Sequence, residues 1–191
     1  MNETAEVDRW VFGFGSLMWR PGFAFVERRR ALLHGRRRAF CIYSVHHRGT
    51  YERRGLVLGL APGGATRGCA YRVAAADWPQ TYAYLREREQ PTETYFEAER
   101  AVRLAGGGAV SAVVYLSDPK HPQWAGDLSL EAQARLIAGA TGLSGPNVDY
   151  LRDLVLHLRE VGVRDRSMEA LLGMVEALEA GDAVAPRLMP T

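Results

Sequence analysis

The chain has 191 residues, with 24 Lys and Arg against 22 Asp and Glu and a formal net charge of +2. That length suits one domain with a sizeable core, and the near-balance of charge removes any global electrostatic case for binding nucleic acid or a membrane surface. The first nine residues carry charges and no apolar core, which argues against a secretory signal. No apolar run approaches a membrane span, so a soluble, cytoplasmic protein is expected.

In chain order, residues 1–8 read as an extension, 9–180 as a single domain and 181–191 as a tail. The aromatic and β-branched run 9–14 predicts a strand that delivers the small-residue turn Gly13-Phe14-Gly15-Ser16-Leu17. Backbone N–H groups of such a turn face a ligand without a Cβ in the way, and anions bind there. Three better-known glycine motifs fail on this stretch. The dinucleotide fingerprint needs Gly where Met18 stands, the phosphate loop's Gly-Lys-Ser/Thr ending is missing, and a nucleophile elbow at Ser16 needs Gly where Phe14 stands. A plain hairpin turn is the competing reading.

Next come two basic runs, Arg28-Arg29-Arg30 and Arg36-Arg37-Arg38, read as a solvated face with a phosphate-binding patch as the alternative. Further strands are expected at 39–45, 55–60, 67–74, 94–104 and 109–117, the last two joined as a hairpin by Gly106-Gly107-Gly108. Cys41 and Cys69 fall inside apolar runs, which suits buried thiols in a reducing compartment. His46 and His47 are adjacent, and neighbours on a strand point to opposite faces, so no shared metal is expected there. Segment 118–122 is a loop. Helices follow at 129–140 from Ser129, at 147–161 with Leu151, Leu154, Leu158 and Val161 at helical spacing, and at 165–180 from Asp165 with Met168, Leu171, Val175 and Leu178. Asn147 reads first as an N-cap and second as a site residue.

Between strands 67–74 and 94–104 lies a predicted helix over 77–90, with Asp77 as N-cap, Pro79 in its first turn and Pro91 as its stop. Its apolar stripe Trp78, Tyr82, Leu85 continues four residues on at Glu89, whereas Glu87 points nearly opposite and Arg86 and Arg88 flank the stripe. A carboxylate that ends an apolar stripe is either partly desolvated, which raises its pKa towards the range useful for proton transfer, or it exits to water or to Arg88, Arg86 or Arg72.

The run Trp10-Val11-Phe12-Gly13-Phe14-Gly15-Ser16-Leu17 resembles the opening signature of the ChaC family, the glutathione-specific γ-glutamylcyclotransferases. Further blocks resemble that family in the same order: His47-Arg48-Gly49-Thr50, Gly55 to Leu60, Cys69 to Val73, Tyr84-Leu85 through Arg88-Glu89, and Ser144 to Asn147 with Tyr150-Leu151. The resemblance runs from Trp10 to about Val161, with one departure at Phe14, where the family has Tyr. It implies an α+β fold, a small mixed β-barrel with peripheral helices, which agrees with the order of strands and helices read above.

The resemblance also implies a lyase of glutathione catabolism. The substrate's own α-amine attacks its γ-carbonyl, so that 5-oxoproline forms and Cys-Gly leaves. Nucleophile and electrophile share one molecule, so no cofactor and no metal are expected, and glutathione is the expected small-molecule partner. The family's catalytic Glu falls on Glu89, with the shared tyrosine on Tyr95. Phe14, Gly15, Ser16 and Leu17 are the expected substrate loop, and Arg48 is the candidate for the glycine end of glutathione. Tyr95 as an edge-strand aromatic and Arg48 as a structural residue stay open. So do two other functions: cyclisation of other γ-glutamyl amino acids or amines, and a non-catalytic binding module.

Overall fold

The computed structural model describes residues 7–89 and 94–184, the side chains of 89 and 182–184 excepted. The chain divides into two compact units, Met1–Ala39 with Gly59–Trp124, and Phe40–Leu58 with Ala125–Thr191.

The first unit is built on a closed barrel. Strands β1 (Arg9–Gly13), β2 (Glu27–Ser44), β3 (Gly55–Val73), β4 (Tyr95–Leu104) and β5 (Ala109–Ser117) follow one another round it in the order β1-β3-β2-β4-β5. β1 runs antiparallel to β3, with Val11 opposite Tyr71, and parallel to β5, with Val11 opposite Val113. β2 and β4, and β4 and β5, pair antiparallel, so the barrel is mixed as expected. The Gly106–Gly108 turn joins β4 to β5, with all three glycines at positive φ. Helix α1 (Trp78–Glu89) follows a 3₁₀ turn, Ala75–Asp77. Leu85 of α1 is fully buried in a cluster with Val11, Leu17, Val73, Val113 and Tyr115, and Phe23, Trp78, Tyr84 and Tyr95 pack against it. That cluster ties β1, the turn after it and α1 into one packed body.

Three expectations need correction here. Strands 55–60 and 67–74 are one strand, because Gly63 and Gly64 take φ of +85° and +66° and let the chain bend without leaving the sheet. Strand 39–45 is the end of a strand that begins at Glu27, so both arginine runs lie in β2. The period-two signal is present there, with Ala31 and Leu33 buried and their neighbours more exposed, but arginines on both sides mask it. Asp77 lies inside the 3₁₀ turn, its N–H donating to Ala74 O at 3.0 Å, and α1 begins one residue later. The expected stop at Gln90-Pro91 lies outside the described residues.

The second unit takes the last residues of β2 and the first of β3, and adds α2 (Leu130–Ile137), the short pair β6 (Thr141–Gly142) and β7 (Gly145–Pro146), α3 (Asn147–Glu160) and α4 (Arg166–Val184). Ser129 caps α2, its Oγ accepting from Ala132 N at 3.2 Å, and Asp165 accepts from Met168 N at 3.3 Å ahead of α4. Leu151, Leu154, Leu158, Met168, Leu171 and Val175 are buried as their spacing predicts, whereas Leu178 is exposed. α2 stops at Ile137 rather than 140, and α4 runs on to Val184, past the expected end at 180.

Asn147 is not an N-cap. Its Oδ1 accepts from Leu56 N at 2.7 Å and its Nδ2 donates to Leu56 O at 2.8 Å, so its amide pairs with a strand as a neighbouring backbone would. His46 and His47 sit in bends after β2 rather than on a strand. Among the described residues no helix is long and apolar enough to cross a membrane.

Candidate active site

The turn after β1 is tight because Gly13 is small: a Cβ there would lie 2.9 Å from Leu17 Cβ. The chain then makes a 3₁₀ turn, Ser16–Met18, closed by Met18 N donating to Gly15 O at 2.8 Å. The amides of Gly15, Ser16 and Leu17 have no acceptor among the described residues, as the first N–H groups of any helical turn do not. Gly15 is half-buried with φ −128°, so its missing side chain matters for approach and not for backbone conformation. The Ser16 side chain is exposed, whereas Phe14 and Leu17 are buried, so ligand contact from those two falls to the backbone.

The carbonyls of this turn have the opposite fate. Arg38, only 5% exposed, donates Nε to Phe14 O at 2.8 Å and Nη2 to Arg67 O at 2.7 Å. Arg28 donates to Met18 O at 3.0 Å, and the Tyr71 hydroxyl lies 2.9 Å from both Leu17 O and Met18 O. Burial, then the neighbouring Cys69, pushes the Tyr71 hydroxyl well above the usual tyrosine range, so it stays a donor at any working pH. The basic runs are therefore only partly a solvated face: Arg38 and Arg28 hold the turn. Arg28 also reaches Cys69 Sγ at 3.5 Å, a neighbour that the sequence alone did not place.

Helix α1 meets the same turn through Arg88. Its Nη2 donates to Ser16 Oγ at 2.8 Å, and its Nη1 donates to Arg20 O at 2.7 Å and to the Tyr84 hydroxyl. Gly22, at φ +76°, comes so close to Tyr84 that a Cβ would land on the hydroxyl. Arg20, Gly22, Tyr84, Glu87 and Arg88 line a cavity of about 580 Å³. Glu87 is exposed, as its place nearly opposite the apolar stripe predicts, and it lines this cavity.

Of the expected site residues, the turn 14–17, Tyr95 and the backbone of Glu89 belong to the first unit. Glu89 closes α1, four residues beyond the buried Leu85 and next to Arg88. Tyr95 opens β4 opposite Ser117 and packs on the buried cluster. Arg48 belongs to the second unit, where it donates to Pro146 O at 3.1 Å and lies over the Tyr150 ring at 5.4 Å. His47 Nδ1 sits 3.0 Å from Ser144 Oγ. Among the described residues no group of three His, Cys, Asp or Glu is placed to hold a metal ion. The supports that sequence reasoning missed are Arg28, Arg38, Tyr71 and Arg88. A hydrophobic pattern does not flag a cation whose partners are distant carbonyls.

Comparison with known proteins identifies the family. A model of the ChaC-like protein family matches residues 9–178. A glutathione-specific γ-glutamylcyclotransferase of Escherichia coli is 38% identical over 171 residues, covering 90% of this chain and 74% of that protein. Glutathione-specific γ-glutamylcyclotransferase 1 of Homo sapiens is 32% identical, covering 88% of this chain and 78% of its own. The crystal structure of a yeast γ-glutamyl cyclotransferase specific to glutathione shares the fold, with a TM-score of 0.79 at 24% identity over 91% of this chain and 100% of that one. A family match over residues 9–178, together with relatives 38% and 32% identical over most of the chain, means that this chain belongs to the ChaC-like protein family.

Proposed function

We propose that this chain is a glutathione-specific γ-glutamylcyclotransferase, cleaving glutathione to 5-oxoproline and Cys-Gly. The observation that carries the reading is the turn 13–18, whose carbonyls are bound from behind while the amides of Gly15, Ser16 and Leu17 lack a described acceptor, in a chain 38% identical to an enzyme of that activity.

Those amides bind the substrate's α-carboxylate, which fixes the glutamyl end. The α-amine then attacks the γ-carbonyl. A C–N bond closes the five-membered lactam, the bond from the γ-carbon to the cysteine nitrogen breaks, and one proton moves from the attacking nitrogen to the leaving one. Holding the chain folded for this attack supplies up to about 7–11 kcal/mol in favourable cases. Glu89 is the group that takes and returns the proton, an effect typically worth about 10²–10⁴-fold. Tyr95, at the start of β4, is the hydroxyl that steadies the carboxylate or the substrate.

The test is to incubate purified protein with glutathione and, separately, with γ-Glu-Ala, and to assay 5-oxoproline. Release from glutathione well above γ-Glu-Ala is expected. Equal release would widen the substrate class to γ-glutamyl compounds in general, and no release from either would leave a binding module.

A further inference from the structure

We propose that Arg88 is a positioning residue, clamping the substrate turn to the last turn of α1. This rests on the function proposed above. A single guanidinium bridges Ser16 Oγ, Arg20 O and the Tyr84 hydroxyl, so it joins both ends of the turn to a helix position four residues back. Tyr84 in turn packs on the buried cluster and against Gly22, so the guanidinium hangs from a fixed post. The planar fork of arginine suits such divergent acceptors, and an ammonium does not reproduce it.

Two consequences follow for a ligand. Arg88 occupies an acceptor site of Ser16 Oγ, which leaves the hydroxyl hydrogen as a further donor beside the three amides. It also brings a fixed positive charge to a site that takes a carboxylate. Because Glu89 is the next residue, the clamp sets the register between the turn that holds the substrate and the backbone that carries the base. A misplacement of about 1 Å in such an arrangement can cost about 10²-fold in rate.

The test compares Arg88→Ala, Arg88→Lys and the control Arg86→Met, a residue whose guanidinium lies over the Tyr82 ring. Each is checked for cooperative unfolding, then assayed for kcat and KM with glutathione. Arg88→Ala should lose about 10²-fold in kcat/KM, shared between kcat and KM, and millimolar guanidinium ion should restore at least tenfold of it. Arg88→Lys, which keeps the charge without the fork, should stay well below wild type, and Arg86→Met should match wild type. In an Arg88→Ala background Ser16→Ala should cost less than it does in wild type, because its tie to Arg88 is already gone and only its own donor is lost. Folded Arg88→Ala and Arg88→Lys variants within threefold of wild type would overturn the clamp, as would stability loss with an unchanged kcat. Should wild type leave glutathione intact, the function reading falls on its own. The ligand-free amide shifts of Gly15, Ser16 and Leu17 then decide the clamp, which is overturned if Arg88→Lys leaves them unmoved.

Discussion

Two glycine-bearing loops stand out in this sequence, and they spend their hydrogen bonds in opposite ways. In the turn 13–20 cations and a buried hydroxyl hold the carbonyls from behind, and the leading amides are left over. The segment 45–54 is tied through amides as well as carbonyls. His46 O and His47 O accept from Leu143 N and Ser144 N at 2.8 and 2.9 Å, Arg48 N donates to Ser44 Oγ at 2.9 Å, and Thr50 N donates to Arg53 O at 2.9 Å. Gly49 is wedged so that a Cβ would strike Gly55 N and Ser44 O. Backbone groups must be paired somewhere, so the spare amides of the turn are met by water or, as proposed, by the substrate's carboxylate. A loop tied through both kinds of group is held as scaffold.

Disabling the chemistry beside the first loop should give the largest effect. Glu89→Gln should cost about 10²–10⁴-fold in kcat while glutathione still binds, read by steady-state kinetics and by calorimetric titration. A variant keeping more than a tenth of wild-type activity would remove Glu89 as the base. Next in size is Gly15→Val, which sets a branched side chain where the carboxylate must approach the amides, and a tenfold or greater rise in KM is expected. Ser16→Ala keeps the amide but loses the hydroxyl that Arg88 grips, so it should fall between Gly15→Val and wild type. If Ser16→Ala proves inactive and Gly15→Val behaves as wild type, the loop works through its hydroxyl and not its backbone.

The barrel was legible in the sequence where an apolar run was unbroken by charge, as at 109–117, and where turn chemistry was explicit, as at Gly106–Gly108. It was illegible at 27–38, because alternation written in arginine looks like a charge run. The same run hides Arg38, whose burial depends on carbonyls at Phe14 and Arg67, far off in sequence. Asn147 misled for a related reason. Its place at a helix start suggests a cap, but the backbone it satisfies belongs to Leu56, which only the folded chain brings near. Local rules read local partners, and both residues serve distant ones.

Removing one anchor from the first loop and one from the strand that follows the second sharpens the contrast at a smaller scale. Tyr71→Phe strips a donor from Leu17 O and Met18 O, the second of which keeps Arg28, and should cost about 1–3 kcal/mol together with a rise in KM. Asn147→Ala orphans both polar groups of Leu56 and should cost at least as much stability, with KM unchanged for the folded fraction. Tyr71 adds a pH signature. Its folded-state pKa is raised, so its contribution is whole below about pH 10, the ordinary tyrosine value, and is lost as pH rises beyond it. Denaturation from pH 7 to 11 should show the gap between wild type and Tyr71→Phe constant at first and narrowing only above about pH 10. A gap that narrows already at neutral pH would mean that another group controls it.

The smallest effect is expected at Arg48, and it decides which kind of loop 45–54 is. As a grip for the glycine carboxylate, Arg48 needs donors to spare. It has them, since among the described residues the guanidinium gives only one bond, from Nη1 to Pro146 O, but that bond and its place over the Tyr150 ring tie it within the second unit. Arg48→Ala should therefore lower thermal stability slightly, by roughly the 0.5–1.5 kcal/mol of one net hydrogen bond, and leave KM for glutathione within about twofold. The informative control is γ-Glu-Ala, which lacks the glycine end. If KM rises severalfold for glutathione and not for γ-Glu-Ala, with the melting temperature unchanged, Arg48 touches substrate and the segment is no mere scaffold. Equal KM shifts for both substrates, tracking a lower melting temperature, would place the cost in folding and leave carboxylate recognition to the turn at Gly15–Leu17.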